Sequence, residues 1–98
     1  MTRTLFLLAS ATLLLLPLQA LASGLSAEAL SLPCNGCHGP DGVSQGVSIP
    51  SIAGMNAEYM TEAMVQFKQG RRSATIMTRI ARGYKDYELR KIAGYFSS

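Results

Sequence analysis

A short run of two cysteines and a histidine constrains this chain more than any other feature. The run is Cys34-Asn35-Gly36-Cys37-His38, which has the pattern C-x-x-C-H. This spacing is typical of covalent haem attachment, because two thiols three residues apart on a helical turn can each form a thioether with one vinyl group of the ring. His38 follows the second thiol directly, so its imidazole is placed to ligate the iron.

Three other uses of the same run are weaker. A thioredoxin-like dithiol is expected near a βαβ pattern, which this sequence lacks. Zinc needs four ligands, and beyond two thiols and one histidine the chain offers only carboxylates. A disulfide across two intervening residues would close a loop too small to stabilise much. We therefore predict one covalently attached haem c, held by Cys34, Cys37 and His38.

The first 22 residues have the pattern of a secretory signal peptide. Arg3 supplies a basic start, an apolar run follows to Leu16, and Ala20-Leu21-Ala22 gives the small-x-small sequence that signal peptidase recognises. A permanent membrane anchor is the alternative, since the apolar stretch nearly reaches spanning length. Pro17 and the small-residue end disfavour the anchor. We expect residues 1–22 to be removed on export to the periplasm, leaving a mature protein that does not span the membrane.

Residues 23–98 have room for one small domain with a marginal hydrophobic core. Both cysteines lie in the haem motif, so no structural disulfide is left to stabilise that domain. A covalently held haem, which is large and apolar, would supply the missing interior.

Apolar periodicity predicts an all-α domain of about three to five helices wrapped around the haem. The clearest predicted helices are Leu25 to Pro33 with Ser26 as N-cap, Asn56 as N-cap of a helix running to about Gln69 and stopped by Gly70, and about Asp86 to Phe96. Residues 43–51 are rich in helix breakers and are expected to form an irregular loop at one haem edge. Gly94 interrupts the last helix pattern, and a close crossing with the first helix is the expected reason.

Charge is divided unevenly along the chain. Residues 23–67 contain four acidic and no basic residues, whereas residues 68–98 contain eight basic and two acidic ones. Such a division either steers a partner with an acidic face or offsets haem propionates and solvates the surface. A nucleic-acid partner is not expected, because the arginines lack adjacent stacking aromatics and any recognised binding motif.

The second axial position of the iron decides what such a protein does. Methionine there gives a redox carrier with a raised potential, and an open position gives ligand binding or peroxide chemistry. His38 is the only histidine, so the candidates within the chain are Met55, Met60, Met64 and Met77. Met60 and Met64 fall at core spacing, and Met55 lies too close to a helix cap. Met77 lies in a less regular segment far enough along the chain to cross to the other haem face, which favours it without deciding the question.

Four stretches of the sequence together resemble class I cytochromes c. They are the haem run continued by Gly39-Pro40-Asp41-Gly42, then Ile49 to Gly54, Ala57-Glu58-Tyr59, and Ala74 to Tyr84. Within this class the chain is most similar to the cytochrome c subunit of flavocytochrome c sulfide dehydrogenase, with relatives in the cytochrome c4 group. The match covers nearly all of residues 23–98, and the last stretch is the one that points to the narrower family.

The resemblance implies the roles of two further residues. Met77 would be the distal ligand, and the carbonyl of Pro50 would accept the Nδ1–H of the proximal histidine. Relatives often have a serine cap on the last helix where this chain has Lys85, so Asp86 is expected to take over. Many members carry two haem domains, whereas this chain has one haem motif and is expected to be a monohaem version.

The function implied by the resemblance is electron transfer rather than catalysis. Sulfide would be oxidised on a separate FAD-containing flavoprotein subunit, and electrons would pass through this haem to other redox proteins. Two alternatives stay open: a free-standing small cytochrome that shuttles electrons between other periplasmic partners, and a five-coordinate haem enzyme or ligand sensor in which Met77 does not ligate.

Overall fold

The computed structural model describes residues 24–98, so the expected signal peptide over residues 1–22 lies outside the described residues. In the described part the regular elements are all helical, as predicted. They are α1 (Ala27–Ser31), α2 (Asn35–His38), α3 (Ala57–Lys68), α4 (Met77–Ala81) and α5 (Asp86–Ser97), with 3-10 turns at Leu32–Cys34 and Pro40–Gly42. Within residues 24–98, no helix combines the length and apolarity that crossing a membrane requires.

Side-chain caps set the starts of α1 and α3. The Oγ of Ser26 accepts a hydrogen bond from the backbone N–H of Ala29 at 3.1 Å. The Oδ1 of Asn56 accepts one from the N–H of Tyr59 at 2.9 Å. Each bond satisfies a donor that has no partner within its own helix, which confirms both predicted caps.

Helix α5 begins at Asp86, as expected, but its cap differs from the prediction. Its N-cap is Lys85, which has an extended backbone, and the carboxylate of Glu88 accepts the Lys85 N–H at 2.9 Å. The prediction that Asp86 caps this helix is wrong, because Asp86 is already the first helical residue and its carboxylate pairs with Lys68 instead. The reach of a glutamate back from the third helical position replaces the missing serine.

The core forms where α5 packs against α1 and α3. The predicted apolar face of α5 is buried, and its members are Leu89, Ile92, Ala93 and Phe96. Helix α3 contributes Met60 and Met64 to the same cluster, and α1 contributes Leu30. The expected crossing of the last helix with the first is therefore confirmed, and it rests on ordinary apolar burial.

Gly94 does not mediate that crossing. It lies on the exposed side of α5, and a Cβ added to it would meet no atom within 4 Å. The predicted close helix approach at this glycine is wrong, since the helices meet through the opposite face, where Ala93 is fully buried.

Replacing Gly94 with alanine should therefore stabilise the protein. We expect the free energy of unfolding to rise by about 0.5–1 kcal/mol, because alanine loses less backbone entropy than glycine in a helix interior. Urea denaturation measures the change, with Ala93→Gly on the adjacent buried position as the control expected to destabilise. A loss of stability in Gly94→Ala would show that this glycine is needed for packing after all.

The loop of residues 43–51 is irregular, as predicted, and its two ends are tied together at Gly42. The Gly42 carbonyl accepts hydrogen bonds from the N–H groups of Ile52 at 2.8 Å and Ala53 at 3.1 Å. Gly42 has a φ of +78°, and a Cβ there would stand 2.8 Å from the ring of Phe96. Gly42, at the start of the loop, therefore packs directly against Phe96 of α5, and this contact fixes where the loop begins.

Candidate functional site

The two cysteines and the histidine lie on consecutive helical turns. Cys34 ends the 3-10 turn that follows α1, and Cys37 and His38 lie on α2. Cys34 and Asn35 both have right-handed helical backbone angles, so the chain runs through the motif without a break. Residues three apart on a helix share a face, so both thiols point to one side, as two bonds to one ring edge require.

The environment of the Cys34 thiol does not favour a redox-active dithiol. Both cysteines are free thiols, with Cys34 half-buried against the core and Cys37 exposed. Burial raises the pKa of the Cys34 thiol above its ordinary value; nearby Cys37 adds to this, and a backbone hydrogen bond partly opposes it. A reactive dithiol needs a lowered thiol pKa, so the direction at Cys34 is opposite to what that alternative requires.

The imidazole of His38 is held by the loop of residues 43–51. Its Nδ1 lies 2.6 Å from the carbonyl oxygen of Pro50. A carbonyl oxygen can only accept, so Nδ1 is the protonated nitrogen and Nε2 keeps its lone pair free for a metal. A hydrogen bond from the ring nitrogen that does not bind the metal to a carbonyl is the arrangement that orients metal-bound histidines.

The four candidate methionines are placed differently. Met60 and Met64 are buried on α3, which matches their predicted packing role. Met55 and Met77 are half-buried and pack against the edge of the core cluster. Met77 is the first residue of the short helix α4, directly after the exposed segment of residues 73–76.

Exposed apolar side chains stand beside each part of the site. Leu32, which precedes the motif, is 60% exposed; Ile49, next to Pro50, is 39% exposed; and Ile76, next to Met77, is 55% exposed. Exposed large apolar side chains beside candidate ligands are candidates for contact with a large apolar group. Together with two thiols and an imidazole that presents Nε2, these residues fit a haem.

Two polar side chains near the motif were missed by sequence reasoning. The Oδ1 of Asn35 is buried without a hydrogen-bond partner among residues 24–98, and the motif leaves this position unspecified, so no sequence signal could identify it. Burial raises the pKa of the Tyr84 hydroxyl, with Cys34 and Glu88 adding in the same direction. Tyr84 lies within the Ala74 to Tyr84 stretch of the resemblance, and its interaction with Cys34 depends on tertiary structure.

Removing either thiol should reduce haem attachment. We expect Cys34→Ala and Cys37→Ala each to leave at most one thioether and to lower the yield of holoprotein, and the double variant to retain no haem under denaturing conditions. Asn35→Ala, which keeps both thiols, is the matched control within the motif. Mass measurement of the denatured protein reports the result, and full attachment in the double variant would contradict this role for the thiols.

Comparison with known proteins finds c-type cytochromes among the relatives of this chain. No protein-family model matches the chain. The chain is 51% identical over 71 residues to the cytochrome subunit of sulfide dehydrogenase from Chlorobaculum tepidum, which covers 72% of this chain and 64% of that protein. It is 35% identical over 71 residues to cytochrome c4 from Pseudomonas aeruginosa, covering 72% of this chain and 35% of that protein.

A smaller relative matches over most of its own length. Cytochrome c-554(548) from Halomonas halodenitrificans is 34% identical over 68 residues, which are 66% of this chain and 82% of that protein. The chain thus spans less than two thirds of the first two relatives but most of this one. Given this match, the helical fold and the C-x-x-C-H site, the chain belongs to the class I c-type cytochromes, electron-transfer proteins whose cofactor is haem c.

Proposed function

We propose that this protein is a periplasmic cytochrome with one covalently attached haem c, and that it serves as the cytochrome subunit of a flavoprotein sulfide dehydrogenase. The observation that carries the proposal is the 2.6 Å hydrogen bond between His38 Nδ1 and the Pro50 carbonyl, which leaves Nε2 for iron beside two free thiols. The 51% identity to the Chlorobaculum tepidum cytochrome subunit supports the narrower assignment.

Each site residue has a distinct role in the proposal. Cys34 and Cys37 would attach the ring, and His38 and Met77 would be the ligands of its iron. A bound haem supplies one-electron redox chemistry at its iron. The Pro50 carbonyl keeps the His38 Nδ1 protonated, which orients the imidazole and raises its basicity toward the metal.

The surrounding side chains control the environment of the site. Apolar groups such as Leu32, Ile49 and Ile76 would exclude water, which favours the less charged redox state. Because His38 is the single histidine of the chain and serves as a ligand, it is not free for acid–base catalysis. In this proposal sulfide is oxidised at the flavin of a separate FAD-containing subunit, and this protein accepts the electrons one at a time and passes them to another redox protein.

The second candidate is a free-standing electron shuttle. It is favoured by the match to most of cytochrome c-554(548), and by the basic composition of residues 68–98, which suits transient docking to acidic partners. Both candidates share the fold, the haem and its ligands. They differ in whether a flavoprotein stays bound.

Purification from the native periplasm at low salt separates the two candidates. The proposal predicts that an FAD-containing protein co-elutes with the haem chain in a 1:1 ratio and that sulfide reduces the haem in this fraction. The same preparation after removal of the flavoprotein is the control, and sulfide should reduce it far more slowly. If instead the haem protein elutes alone, and adding the flavoprotein fraction does not speed its reduction by sulfide, the sulfide dehydrogenase assignment is wrong. The free-standing electron shuttle is then the remaining candidate.

A further inference from the structure

The segment that carries Met77 is fastened to α3 on both sides. Residues 69–85 connect α3 to α5, and Gly70, with a φ of +72°, turns the chain out of α3. Arg72 stands five residues before Met77 and Arg82 five residues after it, and the side chains of both arginines reach back to α3. Both ends of the segment between the two arginines are therefore attached to α3.

Arg72 makes the more extensive of the two attachments. Its guanidinium carbon lies 5.6 Å from the ring centroid of Tyr59 and 5.6 Å from that of Phe67. Its Nε also donates a hydrogen bond to the Oε1 of Gln66 at 3.2 Å. A guanidinium within cation–π distance of two rings and bonded through its Nε–H loses rotational freedom. Three contacts on one helix thus fix this residue half-buried against α3.

The attachment on the other side is more exposed. Arg82 Nε donates to the carbonyl oxygen of Lys68 at 3.3 Å, and Lys68 Nζ pairs with Asp86 at 2.9 Å. The Asp86 side chain is 58% exposed, and exposed ion pairs contribute little because water and salt screen them. Of the two arginine attachments, the one at Arg72 is therefore the stronger.

Among the described residues, no side chain between Arg72 and Met77 attaches the segment to α3 by a hydrogen bond. Residues 73–76 are exposed, and within the described chain their side chains donate and accept no hydrogen bonds. The position of Met77 relative to α3 is then set from this side by where Arg72 is anchored. Helix α4 follows directly and is held at its end by the fully buried Ala81.

We propose that Arg72 is a positioning residue for the axial methionine: its stacking on Tyr59 and Phe67 and its bond to Gln66 hold the segment that presents Met77. The inference rests on the proposed function, because it takes Met77 as the distal ligand. Without the Arg72 anchor, the segment would lose its attachment to α3 on the side that leads into Met77, and the iron–methionine bond would open more often.

Imidazole binding to the ferric holoprotein tests the positioning role. An external ligand competes with the methionine, so its apparent affinity rises with the fraction of molecules in which that bond is open. We expect Arg72→Ala to raise imidazole affinity roughly tenfold and to weaken the methionine–iron charge-transfer band. Arg79→Ala removes the same charge only two residues from Met77, at an exposed position, and should change the affinity less than about twofold.

Two further variants separate positioning from general stability. Ala93→Gly lowers the stability of the α5 core without touching the segment, and it should leave imidazole affinity unchanged at temperatures below unfolding. Arg72→Lys keeps a cation over the two rings and should restore part of the wild-type affinity. Hydrogen exchange gives an independent readout at the first turn of α4, where the N–H groups of Arg79 and Ile80 donate to the Ile76 carbonyl at 3.0 and 3.1 Å. Arg72→Ala should speed exchange of these two amides while those of α5 stay protected.

Two results would overturn the inference. One is an imidazole affinity in Arg72→Ala no higher than in Arg79→Ala, and the other is an equal rise in Ala93→Gly, which would assign the effect to global destabilisation. Failure of the Met77 assignment itself would look different, because the wild-type protein would then lack the methionine–iron band. Failure of the sulfide dehydrogenase assignment would leave every outcome of this experiment unchanged.

Discussion

Met77→Ala should keep the haem attached but change its ligation and potential. Loss of the sulfur ligand removes the methionine–iron charge-transfer band, opens the sixth position to external ligands such as imidazole, and lowers the reduction potential. We expect a fall of roughly 0.1 V or more, which is a modest part of the ~0.8 V range that axial ligands set. Absorption spectroscopy and a redox titration of the holoprotein measure the three effects together.

Met55→Ala is the matched control for this change. Met55 is also half-buried at the edge of the core cluster, and it was among the candidate ligands of the sequence. We expect its spectrum and potential to stay close to the wild-type values, with at most a loss of stability. If Met55→Ala changed the ligation and Met77→Ala did not, the distal ligand would be Met55.

Gly42→Ala should have the largest effect on the fold. A Cβ at this position would stand 2.8 Å from the Phe96 ring and 3.1 Å from the Ala53 nitrogen, at a φ of +78°. The left-handed backbone costs an alanine about 1–2 kcal/mol, and the overpacking adds about 1–3 kcal/mol. We therefore expect the free energy of unfolding to fall by roughly 2–5 kcal/mol. Chemical denaturation of the holoprotein, followed by circular dichroism, checks this value.

Gly46→Ala in the same loop is the control for Gly42→Ala. A Cβ at Gly46 would meet nothing within 4 Å, so its effect should stay within about 0.5 kcal/mol. Equal stability of the two variants would show that the loop base is not pressed against α5 as described. Gly42→Ala should also loosen the loop that brings Pro50 to His38, which a weaker histidine–iron bond would report.

Local interactions explain most of what the sequence could predict. The caps at Ser26 and Asn56 depend only on residues three positions away, and the buried face of α5 follows from helical periodicity. The spacing of Cys34 and Cys37 likewise fixes their relation within one helical turn. These features are short in range, so the pattern alone carries them.

Local sequence patterns could not predict the contacts that depend on tertiary structure. The low helix propensity of glycine suggests that Gly94 lies at a helix crossing. How α5 packs decides which of its faces is buried, and the face that carries Gly94 is exposed. The cap of α5 is Lys85 rather than the predicted Asp86, because the long side chain of Glu88 replaces the missing short cap.

The site shows the same division. The bond between His38 and Pro50 joins two residues 12 apart across an irregular loop, so only the family resemblance could anticipate it. The sequence identifies Arg72 only as one of the basic residues of 68–98. Nothing in its neighbours along the chain indicates that its guanidinium lies over two rings of α3.

The central claim is that one covalent haem c is ligated by His38 and Met77. The most direct test combines the mass of the denatured protein with the ferric absorption spectrum of the native form. We expect one haem that remains attached in denaturant and a low-spin spectrum with a methionine–iron charge-transfer band near the red edge of the visible. A haem that is extracted by denaturant, or a high-spin ferric spectrum without that band, would contradict it.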